Sequence, residues 1–302
     1  MHRPGYPYRG LGVGFVRPED RNTDPRRRPS THQFRIQMGN PFTVFLILRT
    51  GYREPYPVLV SLFLDYEQVP FALDGRRGLL HYLEIPPDVD MEIPLEVPVK
   101  GAGRHDLFII VFPEPDAHPT DPQKRLPPSF VAGGRRTVIC VESCAEPARS
   151  LPQAMTAPKA DVHRLNVLAF PLLPGHDGPP QRRLLLVTTV EKGEALEVEL
   201  WARNPGARPR DYVVLPLMDF GQTTFADAPL LHLHLPPHSE LFIPGRIPLP
   251  REEGVHELQF ITIFDPYRDL ERVSDPFVNA NLRSAIVVAG PRSDNAEDGG
   301  AE

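Results

Sequence analysis

Asp65-Tyr66-Glu67-Gln68-Val69-Pro70-Phe71 reappears as Asp219-Phe220-Gly221-Gln222-Thr223-Thr224-Phe225, an offset of 154 residues (219 − 65). Three more pairings follow in the same order. Ile85-Pro86-Pro87, Ile93-Pro94 and Val97-Pro98 meet Leu235-Pro236-Pro237, Ile243-Pro244 and Ile247-Pro248 at an offset of 150 (235 − 85). Gly103-Arg104-His105-Asp106-Leu107 meets Gly254-Val255-His256-Glu257-Leu258 at 151 (256 − 105), and Phe130-Val131 with Arg136-Thr137-Val138-Ile139 meets Phe277-Val278 with Arg283-Ser284-Ala285-Ile286, the latter at 147 (283 − 136). The offset drifts by a few residues, as turns of changed length would make it. The expectation is an internal duplication: a first domain over residues 1–147, a linker over 148–164 and a second domain over 165–290.

Within each copy the apolar residues alternate as in half-buried strands. Leu196, Val198 and Leu200 are interleaved with Glu197, Glu199 and Trp201, the period of two that marks a strand with one face in a core. The spacing predicts early strands at 11–16 and 165–171, then seven paired segments. These are Phe34–Met38 with Leu184–Val190, Phe42–Arg49 with Ala195–Arg203, Val58–Leu64 with Tyr212–Met218, and Leu79–Ile85 with Leu230–Leu235. Met91–Val97 with Leu241–Ile247, His105–Phe112 with His256–Phe264, and Arg136–Val141 with Arg283–Val288 complete the set. Proline supplies 38 of the 302 residues, more than twice the roughly 5% of average proteins. That density excludes long helices and fits short strands with Pro at their starts and edges. Seven or so short strands in little more than a hundred residues predict an all-β chain of two tandem immunoglobulin-like or fibronectin III-like β-sandwiches, with a barrel as the smaller class. The Pro-containing stretch Ala145–Ala160 predicts an extended linker, and Ser293–Glu302, with no apolar residue larger than Ala, predicts a disordered acidic tail over 291–302.

The net charge of −6 is spread with both signs mixed, which offers no basic face to nucleic acid or anionic lipid. Arg26-Arg27-Arg28 is read as a solvated loop. No apolar run approaches the roughly 18–20 residues of a membrane span, and no signal-peptide core opens the chain, so no membrane insertion is expected and a cytoplasmic location is the default. Cys140 and Cys144, four residues apart on a strand, would stand roughly 13 Å from each other if extended, and unpaired thiols are expected.

The order of strand, Lys-Gly-Glu turn, alternating strand and Asn-Pro-Gly loop at 184–206 comes first in a wider pattern. Pro-Pro before the fifth strand, Gly254-Val255-His256-Glu257-Leu258 opening the sixth, Phe264-Asp265-Pro266 closing it, and Asn279 and Asn281 before the last complete it. Together they resemble bacterial immunoglobulin-like domains of the CARDB type. The resemblance implies binding or spacer modules of exported and surface proteins; the chain departs from that family in its N-terminus and in the reduced Asn279-Ala280-Asn281 motif.

The sharpest chemical candidate is Leu231-His232-Leu233-His234-Leu235-Pro236-Pro237-His238. Alternation sets His232 and His234 on one face about 6–7 Å apart, a spacing that suits two nitrogen ligands of one zinc or copper ion, with His238 a third if the Pro-Pro turn folds back. The plainer reading is an edge strand with leucines in the core and histidines in water. His105 and His256 tempt as bases, but both copies hold one at the same strand start, where a ring N–H given to a loop carbonyl would pin a corner. Asp65 and Asp219 read as turn acceptors at strand ends. No nucleophile triad, phosphate loop or metal-type cysteine pairing is present. The expected function is a non-catalytic binding or scaffolding protein presenting loops and sheet edges to a protein or carbohydrate partner, with no cofactor. The alternative is a metal-binding protein or metal-dependent enzyme using the histidine strand.

Overall fold

The computed structural model describes residues 11–23, 33–87, 89–125, 132–157, 169–175, 179–180, 183–268, 270, 278–280 and 283–290. The acidic tail, Arg26-Arg27-Arg28, Phe130-Val131, Phe277 and Asn281 lie outside them. The first half contains β1 (Leu11–Val16), β2 (Gln33–Ile36), β3 (Phe42–Thr50), β4 (Tyr56–Leu64), β5 (Glu67–Gln68), β6 (Phe71–Leu73), β7 (Arg76–Gly78), β8 (Leu80–Ile85), β9 (Met91–Val97), β10 (Gly103–Pro113) and β11 (Gly133–Val141). The second half contains β12 (Met155–Thr156), β13 (Ala169–Leu172), β14 (Val187–Glu191), β15 (Leu196–Asn204), β16 (Arg210–Met218), β17 (Gly221–Gln222), β18 (Leu231–Leu235), β19 (Ser239–Ile247), β20 (Gly254–Phe264), β21 (Val278–Ala280) and β22 (Ser284–Ala289).

These strands form four sheets, two per half. One sheet of the first half runs β1-β3-β9-β6-β7 and the other β2-β11-β10-β4, with β5 and β8 side by side along β4. In the second half the orders are β13-β15-β19 and β12-β18-β16-β20-β22-β14. Each half is an immunoglobulin-like β-sandwich. Its inner face is lined alternately, by Val58, Val60 and Leu62 of β4 and Leu107, Ile109 and Val111 of β10 against Val44, Leu46 and Leu48 of β3.

The registers repeat the offsets read in the sequence. Phe42 pairs with Val97 as Leu196 does with Ile247; His105 pairs with Ile139 as His256 does with Ile286. Tyr56 pairs with Ile85 as Arg210 does with Leu235, and the parallel pair Val138 and Gln33 matches Ala285 and Val187.

The two halves are not beads on a string. Phe63, Phe108, Ile110 and Phe112 point out of the first sandwich, and with Tyr66 they share one apolar cluster with Val213, Leu215, Leu217, Phe220, Ile261 and Ile263 of the second. The Phe112 and Phe220 rings meet at 4.9 Å. The sheets carrying β10 and β20 therefore stack face to face, giving four layers with three apolar cores. This explains why Leu107–Phe112 and Val213–Met218 are apolar at nearly every position, the mark of strands covered on both faces. Burying one such side chain contributes about 1.5–3 kcal/mol, so separating the halves would be costly.

The stretch read as linker is also engaged. Arg104 donates its backbone N–H to the Glu146 carbonyl at 2.8 Å and accepts from Ala148 at 2.9 Å. Gly103, at φ 117°, permits this approach, since a Cβ there would meet the Glu146 oxygen at 3.0 Å. Met155 and Thr156 then run parallel to β18, opposite Leu233 and His234.

Candidate functional site

The β4–β5 turn in the first half and the β16–β17 turn in the second each place two residues in the left-handed region, Asp65 and Tyr66 at φ 50° and 69°, Asp219 and Phe220 at 49° and 66°. Short polar Asp tolerates that conformation by bonding locally. Asp65 Oδ1 accepts the Asp106 N–H at 3.0 Å, and its Oδ2 lies 2.6 Å from His105 Nδ1. In the second half Asp219 accepts from Glu257 N–H at 2.9 Å and meets His256 Nδ1 at 2.8 Å. The other ring nitrogen donates to a loop carbonyl, Gly101 at 3.1 Å and Glu252 at 3.0 Å.

A histidine flanked by two acceptors donates from both nitrogens as imidazolium and has no lone pair left. Burial opposes protonation of His105, but the hydrogen bond and charge of Asp65 outweigh it and hold the ring above its ordinary value. Burial and Asp219 act on His256 in the same two senses, with the same outcome. Both histidines are thus corner pins in this geometry, with no nitrogen to take a proton from a substrate.

Behind each pin sits a buried charge pair. Arg136 grips Asp106 with Nε at 2.7 Å and Nη2 at 2.6 Å, both residues being almost wholly buried. Asp106 also accepts from the Tyr66 hydroxyl at 2.5 Å and from the Tyr267 backbone at 3.1 Å. Arg136 crosses into the second half, where it donates to the carbonyls of Phe264 and Asp265. Burial alone would lower its pKa, yet Asp106 raises it above the usual guanidinium value. Arg283, at the matching position, donates to the Glu114 carbonyl of the first half at 3.1 Å. Glu257 is gripped by Arg125, which reaches over from the first half with bonds of 2.8 and 2.9 Å. Gln68 and Gln222 finish the seam: each side-chain oxygen accepts the other's backbone N–H at 2.8 Å, and each amide group donates across to the carbonyl of Phe220 or Tyr66. Sequence reasoning assigned none of these residues to an interface, although Tyr66, Gln68, Asp106, Arg136, Gln222, Glu257 and Arg283 stand inside the repeated words.

The histidine strand has the alternation expected of it. Leu231, Leu233 and Leu235 are buried and His232 and His234 face outward together. His234 Nδ1 lies 2.9 Å from Asp211 Oδ1 and His232 Nε2 lies 3.8 Å from the same oxygen, while His232 Nδ1 meets the Pro152 carbonyl at 2.9 Å. His238 stands apart in the β18–β19 turn at φ 51°, its N–H on the Gly206 carbonyl. Among the described residues no group of three His, Cys, Asp or Glu side chains is arranged to hold a metal ion.

The cysteines correct the expectation of separate thiols. β11 stops at Val141 and the chain turns back through Glu142 at φ 60°, so the two Cα atoms lie 4.9 Å apart and Cys140 and Cys144 are disulfide-bonded. The 13 Å spacing held only for an unbroken strand.

One surface cleft of the first half is lined by aromatic rings. Between β3 and β4, Tyr52 and Tyr56 stack at 4.2 Å and 19°, at a cleft of about 550 Å³ lined also by Arg53, Glu54, Pro55 and Glu114. The Tyr56 hydroxyl donates to Glu114 at 3.3 Å, and burial raises its pKa far above the ordinary range. The matching loop of the second half is drawn shut by Asn204, whose amide donates to the carbonyls of Arg208, Leu235 and Pro236.

No helix among the described residues is long and apolar enough to cross a membrane. No family model matches the sequence, and no curated protein does. Among solved structures, red sea bream transglutaminase is 9% identical at a TM-score of 0.25, with 92% of this chain and 31% of that one covered. An E. coli alpha-2-macroglobulin is 10% identical at a TM-score of 0.29, covering 93% of this chain and 17% of that one. Fibronectin(III)-like modules of Clostridium thermocellum CbhA are 10% identical at a TM-score of 0.21, covering 95% and 99%. The chain thus spans a third or less of the first two, and likenesses this distant assign no residue a role.

Proposed function

We propose that this chain is a non-catalytic binding or scaffolding protein whose two sandwiches act as one body and present the Tyr52–Tyr56 cleft to a protein or carbohydrate partner. The observation that carries this reading is the contrast between the halves. Polar groups found in both are consumed by corner pins and the seam, whereas half-buried Tyr52, backed by the buried Tyr56 ring, stands with Glu54 and Glu114 at an open cleft of the first half. Aromatic faces beside a few polar groups suit a partner that is apolar on one side and hydrogen-bonding on the other. The CARDB resemblance supports a binding or spacer role, and the Cys140–Cys144 bond suits the oxidising setting of exported proteins.

The test is a glycan array together with cross-linking in the native host, each repeated with Tyr52→Ala. A partner retained by the parent and lost by the variant, with the unfolding curve unchanged, is the expected result. Equal capture by both proteins, or none by either, would overturn it. A second reading, zinc or copper on the outward face of β18, rests on His232 and His234 both facing Asp211. Equilibrium dialysis against zinc, with His234→Ala as control, separates it from the first.

A further inference from the structure

The same edge of the two sandwiches is finished differently. In the second half β18 is flanked by β12, with Met155 opposite Leu233. In the first half β8 holds the corresponding place, paired to β4 from Tyr56 opposite Ile85 to Ser61 opposite Leu80. No strand among the described residues lies on its other side. Apolar surface gathers there. Of the six large apolar side chains left exposed among the described residues, Leu79, Leu80, Tyr82 and Val89 belong to or flank β8, and a fifth, Met155, lies on β12. An unpaired strand is normally guarded by Lys, Pro or a bulge, and Leu80-His81-Tyr82-Leu83-Glu84-Ile85 contains neither Lys nor Pro.

We propose that β8 is a dimerisation edge, where a second copy of this chain adds its own β8 in antiparallel register and joins two sheets into one. The inference is independent of the Tyr52 cleft. A second copy fits because the strand is its own complement. About a two-fold axis at Tyr82, Leu80 faces Glu84, His81 faces Leu83 and Tyr82 faces Tyr82, with directly opposed side chains on the same side of the sheet. Glu84, the one carboxylate in the strand, meets an aliphatic side chain, whereas parallel pairing in equal register would oppose Glu84 to itself. A two-fold contact of this kind also closes on itself and leaves no further edge to propagate. His81 does not oppose it, since its ring packs on Phe71 at 4.5 Å and bonds the Phe71 carbonyl. The Tyr82 ring is exposed on the outward side of the strand, where the axis would bring it against its own copy.

Sedimentation equilibrium over a concentration series tests this, with the mass expected to rise from 33.9 kDa towards twice that value. Two variants read the register with opposite signs. Tyr82→Glu opposes two carboxylates at the axis and should abolish dimerisation; Leu80→Lys sets an ammonium opposite Glu84 of the second copy and should tighten it. Both sites are exposed, so unfolding curves matching the parent's would show that the fold is intact. A monomer at every concentration, a dimer indifferent to Tyr82→Glu, or weakening by Leu80→Lys overturns the proposal. A monomer that binds a peptide copying residues 150–159, the segment containing β12, overturns it too and makes the edge a receptor for a foreign strand.

Discussion

Replacing Arg136 by Met removes a guanidinium that holds Asp106 at 2.7 and 2.6 Å and two carbonyls of the other half. Asp106 is wholly buried, so the variant leaves a carboxylate whose remaining partners among the described residues are the Tyr66 hydroxyl and the Tyr267 N–H. Breaking a buried pair by removing one member costs about 3–5 kcal/mol. Two charge-assisted hydrogen bonds at about 1.5–3 kcal/mol each give about 3–6 kcal/mol, an overlapping range. Against a typical total of roughly 5–15 kcal/mol, this should shift a urea midpoint conspicuously. The single tryptophan makes the assay specific. Trp201 lies in β15, in the second sandwich and buried, so its fluorescence reports that half while the substitution is in the first. If the seam makes one cooperative body, fluorescence and far-UV circular dichroism move together by the full amount. The double variant Arg136→Met/Asp106→Leu should lose less than Arg136→Met alone, because no uncompensated charge remains. A loss under about 1 kcal/mol, the range of an exposed ion pair, or a Trp201 transition unaffected by the change, would refute the reasoning.

Two further outcomes follow from the corners and the core. His105 and His256 have folded-state pKa values raised by their aspartates, so their contribution is complete below the unfolded value of about 6.5. It is lost as pH rises through the folded value; the unfolding free energy should therefore decline above about pH 6.5, and His105→Gln should flatten the slope in urea titrations across that window. Gly245→Ala should destabilise by about 1–3 kcal/mol through overpacking, because its Cβ would stand 2.5 Å from the Phe225 ring; thermal unfolding measures it, and an unchanged midpoint would mean the ring moves freely.

The strands were legible because alternation such as Leu231-His232-Leu233-His234-Leu235 states which face is buried. The repeated words gave the correspondence between the halves, and the registers keep it, since a shift of one residue in either half would have turned every apolar side chain outward. The packing of the halves was written less plainly. Leu107–Phe112 is apolar at every position, a sign of two covered faces, but a run of that length reads equally as the centre of one sandwich. Gln68, Asp106 and Arg136 look like turn and surface residues until a second sheet is placed against them. The turn at Glu142 that joins the cysteines has no distinct local signature. The engagement of Met155 and Thr156 was equally hidden, because two residues of pairing set no periodicity.

The reciprocal bonds of Gln68 and Gln222 give the seam the form of an isologous contact made within one polypeptide. In an assembly of identical subunits, every substitution at such a contact appears on both sides at once and must suit both. Here each position is encoded separately. Tyr66 faces the seam where the other half has Phe220, Asp106 where it has Glu257, and the acids are gripped by an arginine of the same half in one case and by Arg125 from across the seam in the other. Covalent linkage thus relieves the two faces of the need to match, and one tip is free to keep an open aromatic cleft while its counterpart is drawn shut by Asn204.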